Sequence, residues 1–235
     1  MRYSVTSAIK KIAALKKRIR AVQGGTSSSK TISILMLLIN SAQSDKTPKL
    51  TSVVSETLPH LKKGAIRDFL SIMEGHGYYE EANWNKTDFI YTFETGSKIE
   101  FFSADQPTKV RGPRRDRLFL NEANNVDYES FDQLEVRTKE RVYLDWNPTS
   151  PDFWFYTQVQ QRGDVDHITL TYRDNEALDP EFVKAIEQRK NNARWWRVYG
   201  EGLVGEIEGM VYRDWRMIDE IPHEARLVVR GLDFG

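Results

Sequence analysis

The chain has 235 residues, 40% of them hydrophobic, which suits one large domain or a domain with a fragment of another. Lys and Arg total 34, as do Asp and Glu, so the net charge is zero and contact with nucleic acid would require a local basic surface. The absence of Cys excludes a disulfide scaffold and Cys-ligated zinc, and no run reaches the ~20 apolar residues of a membrane span or forms a signal-peptide core, so the expectation is a soluble intracellular protein.

Residues 6–17 pattern as an amphipathic helix, with Ile9, Ile12, Ala13 and Leu15 set among lysines. A short strand at 18–23 leads into a small-residue turn and an apolar helix at 31–42. A second strand follows at 50–55, then a helix at 58–73 stopped by Gly75-His76-Gly77. Alternating segments at 89–94 and 98–103, joined by Thr95-Gly96-Ser97, form a hairpin signature. A basic loop at 109–117 enters the buried-type strand Leu118-Phe119-Leu120, which ends at Asn121-Glu122. Further strands are expected at 141–146 and 167–172, and helices at 180–190, capped by Asp179, and at about 192–199. Beyond Gly200 glycines punctuate short segments, 211–215 reads as extended, and the last residues, 227–235, read as a strand opening a further domain. The four His (60, 76, 167 and 223) show no metal-ligand spacing. Strands alternating with helices argue for an α/β fold, a mostly parallel sheet covered on both faces, with an antiparallel hairpin added.

The chemistry concentrates at predicted strand ends, where such sheets bind ligands. Gly24-Gly25-Thr26-Ser27-Ser28-Ser29-Lys30-Thr31 lies between a strand and a helix. Small side chains there let backbone N–H groups curl around phosphates, and the helix N-terminus adds partial positive charge. Lys30 would reach the β- and γ-phosphates of ATP, and the Thr31 hydroxyl would ligate Mg²⁺. The P-loop pattern asks for Gly where Ser29 stands, so a flexible Ser/Gly turn is the competing reading. Asn121-Glu122 fits the end of a Walker B strand: Asn121 occupies the Mg²⁺-side position usually held by Asp, and Glu122 is the candidate to activate water. The alternative for Glu122 is a helix cap. Arg111 is a candidate arginine finger, while Arg114, Arg115 and Arg117 better suit a solvated or DNA-contacting basic face. Asn147, before Pro148, could sense the γ-phosphate or simply make an Asn-Pro turn. Tyr3 and Gln23 are candidates for adenine contact.

Taken in order, these segments resemble the tailed-phage large terminases, the ATPase motors of DNA packaging. The resemblance is carried by residues 24–31 as Walker A, by Lys109-Val110-Arg111-Gly112 and Leu118-Phe119-Leu120-Asn121-Glu122-Ala123 as finger loop and Walker B, and by Asp145-Trp146-Asn147-Pro148 as the coupling segment. Thr171-Tyr172-Arg173-Asp174-Asn175, Arg197-Val198-Tyr199-Gly200-Glu201 and Glu208-Gly209-Met210-Val211-Tyr212 are similar to further family stretches. The resemblance implies a P-loop NTPase fold of the RecA-like class, ATP and Mg²⁺ as cofactors, double-stranded DNA as cargo, a portal protein and a small terminase subunit as partners, self-assembly into a ring on the portal, and the cytoplasm of the infected bacterium as the setting. It also implies an organisation of ATPase domain (1–200), linking segment (201–230) and first strand of an RNase H-like nuclease (231–235), with Asp233 as that nuclease's first metal carboxylate. Competing readings are a RecA-like helicase or translocase, a nucleotide- or DNA-binding module without turnover, and a small-molecule kinase. DNA unwinding, phosphate release and an acceptor pocket, respectively, would separate them.

Overall fold

The computed structural model describes residues 4–205, and within them the strand–helix alternation produces an eight-stranded sheet. Its strands are β1 (Ile19–Gly24), β2 (Leu50–Ser55), β3 (Trp84–Asn85), β4 (Ile90–Thr92), β5 (Lys98–Ser103), β6 (Arg115–Leu120), β7 (Thr138–Trp146) and β8 (Val165–Leu170). Their spatial order is β3-β4-β5-β2-β6-β7-β1-β8. The strands from β5 to β8 pair in parallel, while β3, β4 and β5 form the antiparallel addition. The expectations for Tyr3, for residues 211–215 and for Asp233 lie outside the described residues.

The order of the central strands positions the site. β7 lies between β1, which carries the glycine turn, and β6, which carries Asn121 and Glu122. All three run the same way, so their carboxyl ends open on one edge of the sheet. Alternation along each strand divides the core between two faces. Leu118 and Leu120 join Ile19, Phe131, Trp146 and Phe155 on one side. Phe119, Val22, Val53 and Tyr143 point to the other, against Ile34, Leu35, Leu38 and Phe69. By the same pleat Asp145, one residue beyond Leu144, shares a face with Tyr143 and points toward the helix after the glycine turn.

That helix is α2 (Lys30–Ser44), which lies over the sheet with α1 (Ser7–Ala14), capped by the Thr6 side chain. The helix expected at 58–73 is broken into α3 (Leu58–Leu61), a π-helical turn (Lys62–Ile66) and α4 (Arg67–His76), which ends at Gly77 with φ +73°. The break falls at Gly64 (φ −106°, ψ −106°), a conformation whose cost is least without a Cβ. Beyond β5, α5 (Pro107–Val110) is a single turn, and α6 (Tyr128–Glu135), capped by Asp127, covers the other face. α7 (Pro180–Glu187) starts where expected, with the Asp179 carboxylate accepting from the Glu181 N–H at 2.8 Å. α8 (Ala193–Trp195) continues into a π turn (Trp196–Gly200).

Candidate functional site

A cleft of about 650 Å³ opens at the carboxyl ends of β1, β6 and β7, within the range of small-molecule sites. It is lined by residues 25–32 of the glycine turn and α2, by Arg67 and Asp68 of α4, by Glu122, Asn124 and Asn125 after β6, and by Asp145, Trp146, Asn147 and Thr149 at the end of β7.

The turn is shaped by its neighbours as much as by its own residues. A Cβ on Gly25 would stand 2.3 Å from the Tyr199 carbonyl oxygen, so no side chain fits there. Ser27 (φ +56°) and Ser29 (φ +59°) both take the left-handed conformation. This is why the P-loop pattern asks for Gly before Lys: the backbone must turn left-handed there, and Ser29 does so at a cost of roughly 1 kcal/mol. Its hydroxyl shares a 2.8 Å hydrogen bond with that of Ser33. α2 then begins with no side-chain cap and no acid in its first turn. The Lys30 ammonium folds back over the turn, donating to the carbonyls of Gly24 (3.1 Å) and Gly25 (2.9 Å), to the Ser28 hydroxyl (3.2 Å) and to Asn147 Oδ1 (2.8 Å). Burial pushes its pKa down to about 8, against the pull of Asp145 and Glu122.

Asp145 is the centre of the strand ends. It is 1% exposed, and three donors converge on it. Oδ2 accepts from the Thr31 hydroxyl at 2.6 Å, while Oδ1 accepts from Asn121 Nδ2 at 3.0 Å and from the Glu122 N–H at 2.8 Å. Burial raises its pKa, opposed by those hydrogen bonds and by Lys30. Asn121 is buried beneath it and does not line the cleft. Glu122 is held at φ +53°, ψ +52°, unusual for a residue with a Cβ, and its carboxylate is half exposed at the cleft, 3.9 Å from His60 Nδ1. Such strain persists where the surroundings over-determine the backbone, and here the bond from the Glu122 N–H to Asp145 pins it.

The family model for the phage terminase large subunit matches residues 16–203. The chain belongs to that family. No curated protein sequence matches it. Its fold is that of solved large terminases. The large terminase of a thermophilic bacteriophage superposes with a TM-score of 0.73 at 18% identity, over 86% of this chain and 54% of that one. The same phage's protein in complex with ATP-gamma-S superposes with 0.71 at 17% identity, over 85% and 53%. The ATPase domain of the Thermus phage P74-26 large terminase superposes with 0.62 at 14% identity, over 86% and 94%. The chain thus spans about half the length of the first of these large terminases and nearly all of the P74-26 ATPase domain.

In this terminase chain the fold brings residues 25–31, Glu122 and Asn147 around one cleft, with Gly24 and Asn121 just behind it. It does not bring Arg111 there. That residue follows α5, is exposed, and faces Glu129 at 3.9 Å. The reading of Arg115 and Arg117 as part of a basic face is corrected, because both are buried within β6. Arg115 donates to the Ser52 hydroxyl and the Leu134 carbonyl, and Arg117 forms a forked pair with Asp45. Gln23 is also turned inward. Its amide donates to the Gly202 carbonyl at 2.6 Å, and its oxygen accepts from the Tyr156 hydroxyl at 2.9 Å, which itself accepts from the Trp146 indole at 3.0 Å. Sequence reasoning missed Arg67 and Asp145 as cleft residues. Asp145 leaves a signal, a single acid inside the apolar run Val142 to Trp146, since a buried carboxylate is costly unless partnered. Arg67 leaves none, because nothing local distinguishes it from other helix-surface arginines.

A final feature is the strap formed by residues 199–205. The Tyr199 carbonyl accepts from the Thr26 N–H at 2.9 Å, and the Gly205 N–H donates to the Pro148 carbonyl at 2.8 Å. Between them Gly202 (φ +68°) lies so close to the turn that a Cβ would stand 2.8 Å from Gly25 N.

Proposed function

We propose that this chain is the ATPase motor portion of a phage large terminase, which hydrolyses ATP to drive double-stranded DNA into procapsids in the cytoplasm of the infected bacterium. On this reading it works in a ring on the portal protein, with a small terminase subunit as a further partner. The observation that carries the proposal is the convergence of Lys30, Thr31, Asp145, Glu122 and Asn147 on one cleft at the carboxyl ends of parallel strands.

The chemistry follows from the groups present. The amides of the turn and of the first turn of α2 bind phosphate oxygens, with Lys30 as the point charge between the β- and γ-positions. The Thr31 hydroxyl and the Asp145 carboxylate beside it are oxygen ligands of the kind a hard cation takes, so Mg²⁺ fits there. The Thr31 hydroxyl would help hold it, and the ion would supply positive charge against the phosphates during transfer. Glu122 stands at the cleft, held by its strained backbone, to orient or deprotonate the attacking water. Asn147 shares the Lys30 ammonium. A γ-phosphate competes with it for that ammonium, so hydrolysis changes the load on β7 and on the Pro148 carbonyl that holds the strap.

The test pairs binding with turnover. Lys30→Ala is expected to lose most ATP-gamma-S affinity, whereas Glu122→Gln keeps it and loses phosphate release by ~10²-fold or more. Wild-type turnover in either variant would overturn the assignment. A wild-type chain that binds nucleotide but never releases phosphate, alone or assembled with portal and DNA, would instead make it a binding module.

A further inference from the structure

We propose that Asp145, on β7, is the carboxylate that faces the nucleotide's magnesium, in place of the acid that a P-loop ATPase ordinarily carries at the end of its Walker B strand. This rests on the ATPase reading above and assigns its metal side.

β6 ends in Asn121, whose amide carries no charge, and Asn121 is buried without lining the cleft. Asp145 is also buried, yet it does line the cleft. Because β7 lies between β6 and β1, its acid is one strand nearer the phosphate turn than the usual position. From there it reaches the Thr31 hydroxyl directly, at 2.6 Å. The neutral amide is then explained. Asn121 Nδ2 sits 3.0 Å from Asp145 Oδ1, and a second carboxylate at that separation would repel the first. The amide donates instead, which aims the carboxylate, and the Glu122 N–H completes its support at 2.8 Å. The negative charge has moved from one strand to the next, and the residue left behind has become its hydrogen-bond donor. Mg²⁺ bound with a nucleotide needs only one or two carboxylates besides phosphate and water, so a single acid beside Thr31 is a sufficient protein contribution.

The competing role for Asp145 is a strut between Thr31 and the backbone of Glu122. The two roles separate in the metal dependence of binding, which requires no turnover. Affinity for a fluorescent ADP is measured with excess Mg²⁺ and with a chelator, alongside melting of the free protein. Asp145→Asn is expected to lose ~10-fold or more of the gain that Mg²⁺ confers, while affinity in chelator stays within about twofold. The double variant Asn121→Asp, Asp145→Asn, which returns the acid to β6, is expected to recover most of that gain. A wild-type Mg²⁺ gain in Asp145→Asn, or no recovery in the swapped variant, would overturn the proposal. Should the variants not fold, Mn²⁺·ADP on wild-type protein carrying ¹³C-carboxylate aspartate provides the readout. A carboxylate hyperfine coupling is expected, and its absence overturns the assignment. Failure of the ATPase reading shows differently, as no ADP binding by the wild type with metal or without it, or as nucleotide binding without phosphate release.

Discussion

Lys30 works as a cation under strain from its own burial. With its pKa pushed down to about 8, a falling share of free protein carries the charge as pH rises through that value. An anion in the turn favours the charged form, so binding takes up a proton and affinity must decline on the alkaline side, by up to ~10-fold per pH unit. The folded state meanwhile binds fewer protons than the unfolded chain between about 8 and the ordinary lysine value of 10.5. Stability of the nucleotide-free protein should therefore rise across the same window in which nucleotide affinity falls. ATP-gamma-S titrations and thermal melts in matched buffers check the two slopes, and parallel slopes would rule out Lys30 as the titrating group. At this scale the sequence is legible where chemistry demands a fixed spacing. Residues 24–31 and Asn121-Glu122 declare themselves because each needs its neighbours. Asp145 shows only as an acid in an apolar run, its role unread because its partners Thr31 and Asn121 lie far off in sequence, and Arg117 looks like a loop cation because Asp45 is equally remote.

Elements were readable wherever period and punctuation agreed. β2 and β5 fall where alternation and turn residues place them, and Asp179-Pro180 marks the start of α7. The kink at Gly64 and the buried start of β6 were not readable, since both are settled by tertiary partners. β6 begins with two arginines that can enter the sheet only because their guanidiniums are answered there. The Arg117–Asp45 pair is 6% and 7% exposed at its side chains. Burial opposes ionisation of Asp45, but the hydrogen bonds from Arg117 and Ser97 outweigh it and hold the carboxyl below its usual range. Asp45→Ala strips the buried guanidinium of its forked partner and leaves it only Glu140, 3.6 Å from Nε, which should cost up to about 3 kcal/mol. Urea unfolding should show a lower midpoint at unchanged slope. The exposed Lys86–Glu81 pair serves as the control, with Glu81→Ala expected to shift the midpoint hardly at all. Equal effects from the two substitutions would refute the account of how β6 is anchored.

At the scale of the whole molecule, the described residues set the finger candidate apart from the cleft. Arg111 is exposed and is not among the residues lining the cleft of its own subunit. In a ring that position suits donation to a neighbour, and an arginine finger is worth ~10³–10⁵ in rate. The isolated chain should accordingly hydrolyse slowly. In the assembled motor, mixing Arg111→Ala with Glu122→Gln subunits should restore turnover beyond the sum of the two, since an intact finger can then meet an intact Glu122. A strictly additive mixture would leave Arg111 acting within its own subunit or outside catalysis. Fold and family were legible from motif order, while any assembly with other subunits depends on surfaces that no single-chain pattern encodes. The strap of residues 199–205 adds a mechanical point. It is tied to the phosphate turn at Thr26 and to the end of β7 at Pro148, each by a backbone hydrogen bond. Tension arriving along the chain past Gly205 therefore reaches the walls of the cleft before it reaches the hydrophobic core. A shift of the phosphate turn and a load on the strap are thus coupled through these two bonds, which on the proposed function would give the nucleotide cleft a mechanical input.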